Sequence, residues 1–436
     1  MDGNQNYFNN INDPQPVQPP QKEKGSGKGL FFVGLVSGIA VALLVVAVGW
    51  FGMEIQKAVE SNGGGAADMP ELDESSALDS NTIAKLQALV DTIDKYFFLH
   101  EVTDQEMRDG MYKGLLASLD DPYSEYYTVE ELNELMEQSE GIYYGIGAYV
   151  QLDEDTGLPK ISGVIEGSPA EEANLRANDL VYEVDGASTY GLNLTEAVGL
   201  IKGPEGTEVE LTLIREGESD YVKLTLTRRK VESPTVEFSM LEDDMAYIQV
   251  TEFDDVTVDQ FADALAMAKG SDAKGIILDL RGNPGGNLDA VVDMCNMILP
   301  EGMIVYTEDK YGERKEYKSD GTHELDLPLV VLVDMNSASA AEIMAGAIKD
   351  YGTGTLVGTT TFGKGIVQQI MSFRDGSAIK ITISAYYTPK GNNIHGIGIV
   401  PDVVCEFDGE AYYGSPEHPD NQLEKAKDVL REKMGK

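Results

Sequence analysis

Histidine is scarce in this chain: His100, His323, His395 and His418 are the only four among 436 residues. None of them can be placed in a triad, so imidazole-based nucleophilic chemistry has no ready base. Cysteine is scarcer. Cys295 and Cys405 cannot build a disulfide framework and show no metal-ligand spacing. Cys295 sits in an apolar helical pattern and reads as core. Positive charge is also short, 33 basic against 75 acidic residues for a net charge of −42. Residues 1–28 hold three of each sign, so the imbalance belongs to the rest of the chain. Such a surface repels phosphate backbones, which argues against nucleic-acid binding and reads as a solubilising acidic coat.

Long apolar runs are absent but for one. Residues 29–53, GLFFVGLVSGIAVALLVVAVGWFGM, carry no charge. As a helix they would reach about 37 Å, enough to cross a bilayer core. Lys22, Lys24 and Lys28 precede the run, whereas Lys57 alone follows it closely. The positive-inside rule then predicts a single-pass protein of the cell membrane, with a cytoplasmic N-terminus and everything after the span outside. A cleaved signal peptide would have a shorter apolar region and an earlier cleavage site than the GGGAA near Ala67, so an uncleaved anchor is expected. The Asn-, Gln- and Pro-rich residues 1–28 read as a disordered tail, and residues 54–79 as a stalk.

Beyond the stalk, apolar residues Ile83, Leu86, Leu89, Val90, Ile93 and Phe97 recur at helical spacing. Residues 80–136 are expected to form a small helical region, packed on the rest of the chain or on a second copy of itself. Residues 137–231 change to short alternating runs, with SPAEEANL and LTEAVGLIK as two short helices between strands. That order resembles a PDZ domain. Tyr144, Gly145, Ile146 and Gly147 fall where its carboxylate-binding loop would lie, ahead of a strand edge able to take an extended peptide. A small β-domain that binds nothing is the plainer alternative. Residues 232–436 alternate strands with helices, which predicts an α/β core.

In that core LPLVVLVD reads as a buried strand and AEIMAGAIKD as a helix starting near Ala340. Ser339 therefore lies at a helix N-terminus, where the Ala340 amide could hold an oxyanion. Ser339-Ala-Ala-Glu342 is also a capping-box pattern, which needs no catalysis. GTTTFGKG, Gly358 to Gly365, nearly matches a phosphate loop but has Gly365 where a magnesium-binding hydroxyl belongs. Its Lys364 is the better candidate for the missing base. Burial and a nearby helix N-terminus lower a lysine pKa, and about 7 or 8 makes a usable base. Gln368, four residues on, would share its face in a strand and could orient the amine without adding charge.

Several stretches together resemble the carboxy-terminal processing proteases, also called tail-specific proteases: LASLDDPYSEYY, the PDZ-like segment, LDLRGNPGGNL, VDMNSASAAEIMAGAIKD, TFGKGIVQ, GIGIVPDV and DNQLEKAKDVL. The resemblance spans residues 82 to 430. It implies an α/β catalytic core of crotonase/Clp-like ββα units with an inserted PDZ domain, and serine endopeptidase activity without metal or cofactor. It places the nucleophile on Ser339, the base on Lys364 and the assisting glutamine on Gln368. The oxyanion hole falls on the Ala340 amide and a glycine of the NPGG turn, taken as Gly285 with Gly286 adjacent. Ala341 departs from the family, where a serine is common. Substrates would be proteins with free C-termini, and the helical region could pair two subunits. The rivals are an inactive C-terminal-peptide receptor and an acyl-CoA enzyme on a crotonase-like core.

Overall fold

The computed structural model describes residues 77–322 and 325–435. The expected tail, the span 29–53 and all but the last three residues of the stalk lie outside the described residues, as does His323. No helix among the described residues is long and apolar enough to cross a membrane.

The chain opens with α1 (Ser80–Tyr96), capped by the Asp79 side chain, and α2 (Asp104–Ala117), held by a reciprocal Thr103–Glu106 capping box. Such caps contribute about 1 kcal/mol each. Neither helix buries a side chain. The apolar stripe the sequence sets out is present, but Leu89, Phe98 and Leu115 stand in the open. A short strand β1 (Glu125–Tyr127) follows, then α3 (Val129–Glu140), which stops at Gly141 in the left-handed region, φ 67°.

The next unit has β2 (Ile142–Gly145), β3 (Ala148–Leu152), β4 (Pro159–Val164), α4 (Pro169–Glu172), β5 (Leu180–Val184), β6 (Ala187–Ser188) and α5 (Leu194–Ile201). It closes with β7 (Glu208–Ile214), β8 (Val222–Thr227) and β9 (Arg229–Glu232). The sheet order is β3-β4-β5-β7-β8, with β6 on β5, and β2 pairs separately with β9. Ile161, Val181, Leu211 and Leu213 fill its own small core.

The remainder is built from β10 (Val236–Leu241), β11 (Met245–Val250), α6 (Asp255–Gly270), β12 (Gly275–Asp279), α7 (Leu288–Asn296), β13 (Gly302–Asp309) and β14 (Arg314–Ser319). After these come β15 (Leu329–Val333), α8 (Ala340–Tyr351), β16 (Gly354–Gly358), β17 (Ile366–Ser372), β18 (Ala378–Tyr387), β19 (Val403–Val404), α9 (Gly409–Gly414) and α10 (Asn421–Lys433). One sheet runs β10-β11-β12-β15-β16-β19, with only β10 antiparallel. All five residues of β15, LVVLV, are buried, as a parallel strand covered on both faces requires. Residues of α6, α7 and α8, Cys295 among them, pack one face; Leu423, Ala426 and Leu430 of α10 pack the other.

A second sheet joins β14, β13 and β18, with β17 along the other edge of β18 and β1 at its start. Through β1 the region read as wholly helical adds a strand to the core, so the PDZ-like unit is inserted between two parts of one α/β fold. The three loops that follow β12, β15 and β16 leave the same edge of the parallel sheet, the usual place for a site in such a sheet. Lys364 corrects one expectation. β17 begins at Ile366, so the lysine precedes the strand, and the β17–β18 register shifts between Val367 and Gln368. Strand alternation therefore does not put residues 364 and 368 on one face.

Candidate active site

The loop after β15 separates the two serines of its SAS run. Ser337 is structural: its hydroxyl donates to the Leu280 carbonyl (2.7 Å) and accepts from the Asp334 N–H (2.9 Å). Ser339 is different. It takes φ 53°, ψ −114°, a conformation most non-glycine residues avoid. The residue is 3% exposed and directly precedes α8. No hydrogen bond of Ala340 N–H occurs among the described residues, as expected of a first-turn amide.

Glu342, read from sequence as a cap, does more than close a helix. It is fully buried, and its Oε2 accepts from the N–H of Ser339 (3.0 Å) and the N–H of Lys364 (2.8 Å). Its Oε1 accepts from the Gly363 N–H (2.8 Å) and the Thr361 hydroxyl (2.5 Å). Burial pushes the carboxyl up, against these four bonds. Tyr386 of β18 makes the complementary link, its hydroxyl lying 3.0 Å from the Ser339 carbonyl oxygen and 2.5 Å from that of Lys364. Loops 334–339 and 359–365, far apart in sequence, are thus fastened together at the two residues singled out for catalysis.

Lys364 is 3% exposed, and its pKa falls to about 7. Burial is the main cause and Lys380 adds to it; Asp121, Glu342 and Glu125 pull the other way. The amine lies 4.4 Å from the centroid of the Tyr123 ring. No hydrogen bond joins it to the Ser339 hydroxyl in this conformation. Gln368 is buried, and its amide donates to Thr382 Oγ1 (3.1 Å). Thr382 in turn gives its N–H to Ser124 Oγ (3.1 Å), and Ser124 bonds Asp121 (2.6 Å). The glutamine therefore reaches the turn that holds Tyr123. Among the described histidines, only His395 meets these loops, its Nδ1 accepting from Gly365 N–H (3.4 Å).

The NPGG turn after β12 comes up against Ser339. A Cβ on Gly285 (φ 109°) would lie 2.7 Å from Ser339 Cβ and 3.0 Å from the Ala340 nitrogen, so only glycine fits. Its amide, however, donates to Asn283 Oδ1 (2.8 Å), which corrects the choice of Gly285 as oxyanion donor. The Gly285 carbonyl accepts from Phe253 N–H (2.9 Å). A trans peptide then turns the Gly286 N–H the opposite way, and no bond to it occurs among the described residues.

In the inserted unit Tyr144 and Gly145 end β2, while Ile146 is part of the small core. The Ile146 carbonyl accepts from Ala170 N–H (2.7 Å), and that of Gly147 (φ 78°) from Ile165 N–H (2.9 Å) and Ser168 Oγ (3.1 Å). β3 is an edge strand with α5 packed against it. A cleft of about 590 Å³ opens beside Tyr144, lined also by Glu137, Lys202 and Pro204.

Sequence reasoning missed Glu342's second role, Tyr386 and Tyr123. Tyr123 stood inside the quoted DDPYSEYY stretch, but nothing local ties it to a lysine 241 residues later. Tyr386 carried no local signal beyond an apolar strand.

The chain is a serine-type peptidase that carries a PDZ domain, as its relatives establish. The peptidase family S41 model matches residues 244–405, a PDZ domain model residues 160–215, and the activating protease CtpB N-terminal domain model residues 43–131. The carboxy-terminal processing protease CtpA of Bacillus subtilis is 39% identical over 71% of this chain and 66% of its own length. The carboxyl-terminal-processing protease of Synechocystis is 36% identical over 72% of this chain and 75% of its own. A solved photosystem II D1 C-terminal processing protease is 29% identical, covering 77% of this chain and 91% of that one with a TM-score of 0.45. The chain belongs to the carboxy-terminal processing protease family. It spans about two thirds of the length of the Bacillus relative and three quarters of the Synechocystis one.

Proposed function

We propose that the chain is a membrane-anchored, extracytoplasmic serine endopeptidase that takes the C-terminus of a protein substrate in its PDZ groove and cleaves the chain upstream. Residues 29–53 would be the anchor and Lys22, Lys24 and Lys28 would keep the N-terminus cytoplasmic. The exposed apolar face of α1 and α2 would pair two copies.

In the chemistry, the Lys364 amine leaves the Tyr123 ring by side-chain rotation and reaches the Ser339 hydroxyl. Ser339 Oγ attacks the scissile carbonyl carbon as its proton passes to Lys364 Nζ. The oxyanion is held by the amides of Ala340 and Gly286. Collapse breaks the C–N bond, and the ammonium of Lys364 returns the proton to the departing amine. Water then cleaves the acyl-enzyme by the same route. Gln368 holds Thr382 and the Asp121–Ser124 turn, and through them the lysine's surroundings. The observation that carries the reading is the shared Glu342 oxygen, which sets the backbones of Ser339 and Lys364 side by side while the amine is buried.

For the groove, the support is the inward carbonyls of Ile146 and Gly147 beside the free edge of β3. This backbone leaves amides for a terminal carboxylate and a strand edge for the peptide. The test incubates the full chain, and its Ser339→Ala variant, with an unstructured protein whose C-terminus is free or amidated. Cleavage should vanish in the variant and weaken about tenfold on amidation. Binding without cleavage by the unaltered chain would leave an inactive receptor, and neither binding nor cleavage would point to the acyl-CoA alternative.

A further inference from the structure

Both carbonyl oxygens flanking the candidate catalytic pair, those of Ser339 and Lys364, meet one phenol. Tyr386 is 2% exposed and belongs to the main hydrophobic core. Burial, with Glu342 and Tyr123 nearby, keeps the phenol neutral and so a donor. It has one proton for two acceptors, at 3.0 Å and 2.5 Å. Glu342 holds the same two residues by their N–H groups. The two backbones are therefore clasped on their donor side by a carboxylate and on their acceptor side by a hydroxyl. The carboxylate belongs to the serine's own helix, but Tyr386 comes from β18, the strand that also bears Thr382 and pairs with β1.

We propose that Tyr386 is a positioning residue: its hydroxyl fixes the distance between the Ser339 and Lys364 backbones, and so the reach of the amine to the serine hydroxyl. The inference rests on the serine–lysine reading above. The chemistry has narrow tolerance, since a misplacement of about 1 Å can cost on the order of 100-fold in rate. Tyr386 touches neither substrate nor the reacting atoms, so substrate binding should not depend on it.

The test compares the full chain with Tyr386→Phe, which keeps the ring and removes the hydroxyl, counting active sites by fluorophosphonate labelling. The expected result is a kcat lowered about 10- to 100-fold with KM within twofold and labelling of Ser339 slowed alike. Replacing Tyr386 with para-aminophenylalanine, whose two N–H groups can serve both carbonyls, should restore kcat to within about threefold. That analogue also decides the matter should the phenylalanine variant fail to fold. A folded Tyr386→Phe protein with unchanged kcat would overturn the proposal, as would a folded amino analogue whose kcat stays about tenfold or more below that of the unaltered chain. Undiminished cleavage by Ser339→Ala would instead sink the serine–lysine reading itself.

Discussion

Lys364 carries a conflict between stability and chemistry. Its amine is buried, and its pKa drops from 10.5 to about 7, so the folded state binds that proton less tightly than the unfolded chain does. Below pH 7 the whole penalty is present, about 1.4 kcal/mol for every tenfold loss of proton affinity; it fades as pH rises toward 10.5. Lys364→Met should therefore be inactive yet more stable by a few kcal/mol at pH 6, with the gain shrinking at pH 10. Denaturant unfolding at the two pH values checks this, and a variant less stable at pH 6 would contradict it. Gly285→Ala should also lose activity, at least 100-fold, because its methyl would press on Ser339 and Ala340. Steady-state rates on the folded variant decide it. At this scale the placement of Ser339 just before α8 and of Lys364 on a loop of glycines was legible, since a small-residue strand-to-helix turn and a lysine among glycines are local features. The engaged Gly285 amide was not, because its partner is a side chain two residues away whose orientation only the folded turn sets.

Among the elements, the turn from Asp121 to Ser124 joins the helical region to the lysine pocket. Tyr123 walls the amine, and the pocket keeps the phenol's own pKa up at about 12, mainly by burial. Tyr123→Ala should admit water and raise the lysine pKa, since burial is the leading cause of its depression. Activity at pH 7 should fall about tenfold and recover toward pH 9. A cleavage rate lowered equally at all pH values would contradict this. Strand and helix order was readable from apolar alternation, for the LVVLV and AIKITISAYY runs leave little choice. The placement of Lys364 and Gln368 on one face was not. A β17 starting at Ile366 and a register shift against β18 depend on which strand pairs with which.

Across the whole molecule the chain has three parts: a helical region that lends β1, an inserted PDZ unit and an α/β core. The order of parts was legible because several long motifs occur in sequence. The pairing of β1 with β18 was hidden, since the two strands are more than 250 residues apart. If α1 and α2 pair two copies as proposed, Leu89→Glu with Leu115→Glu should lower the mass in solution from dimer to monomer, as light scattering would show; an unchanged mass would discard that pairing. The proposed serine–lysine chemistry requires a neutral Lys364 to take the proton of Ser339. The most direct measurement is the pH dependence of the acylation of Ser339 by a peptide ester in a single turnover. The rate should rise with one proton's loss and level off above a midpoint near pH 7. A rate indifferent to pH between 5 and 9, or one that survives Lys364→Met, would contradict it.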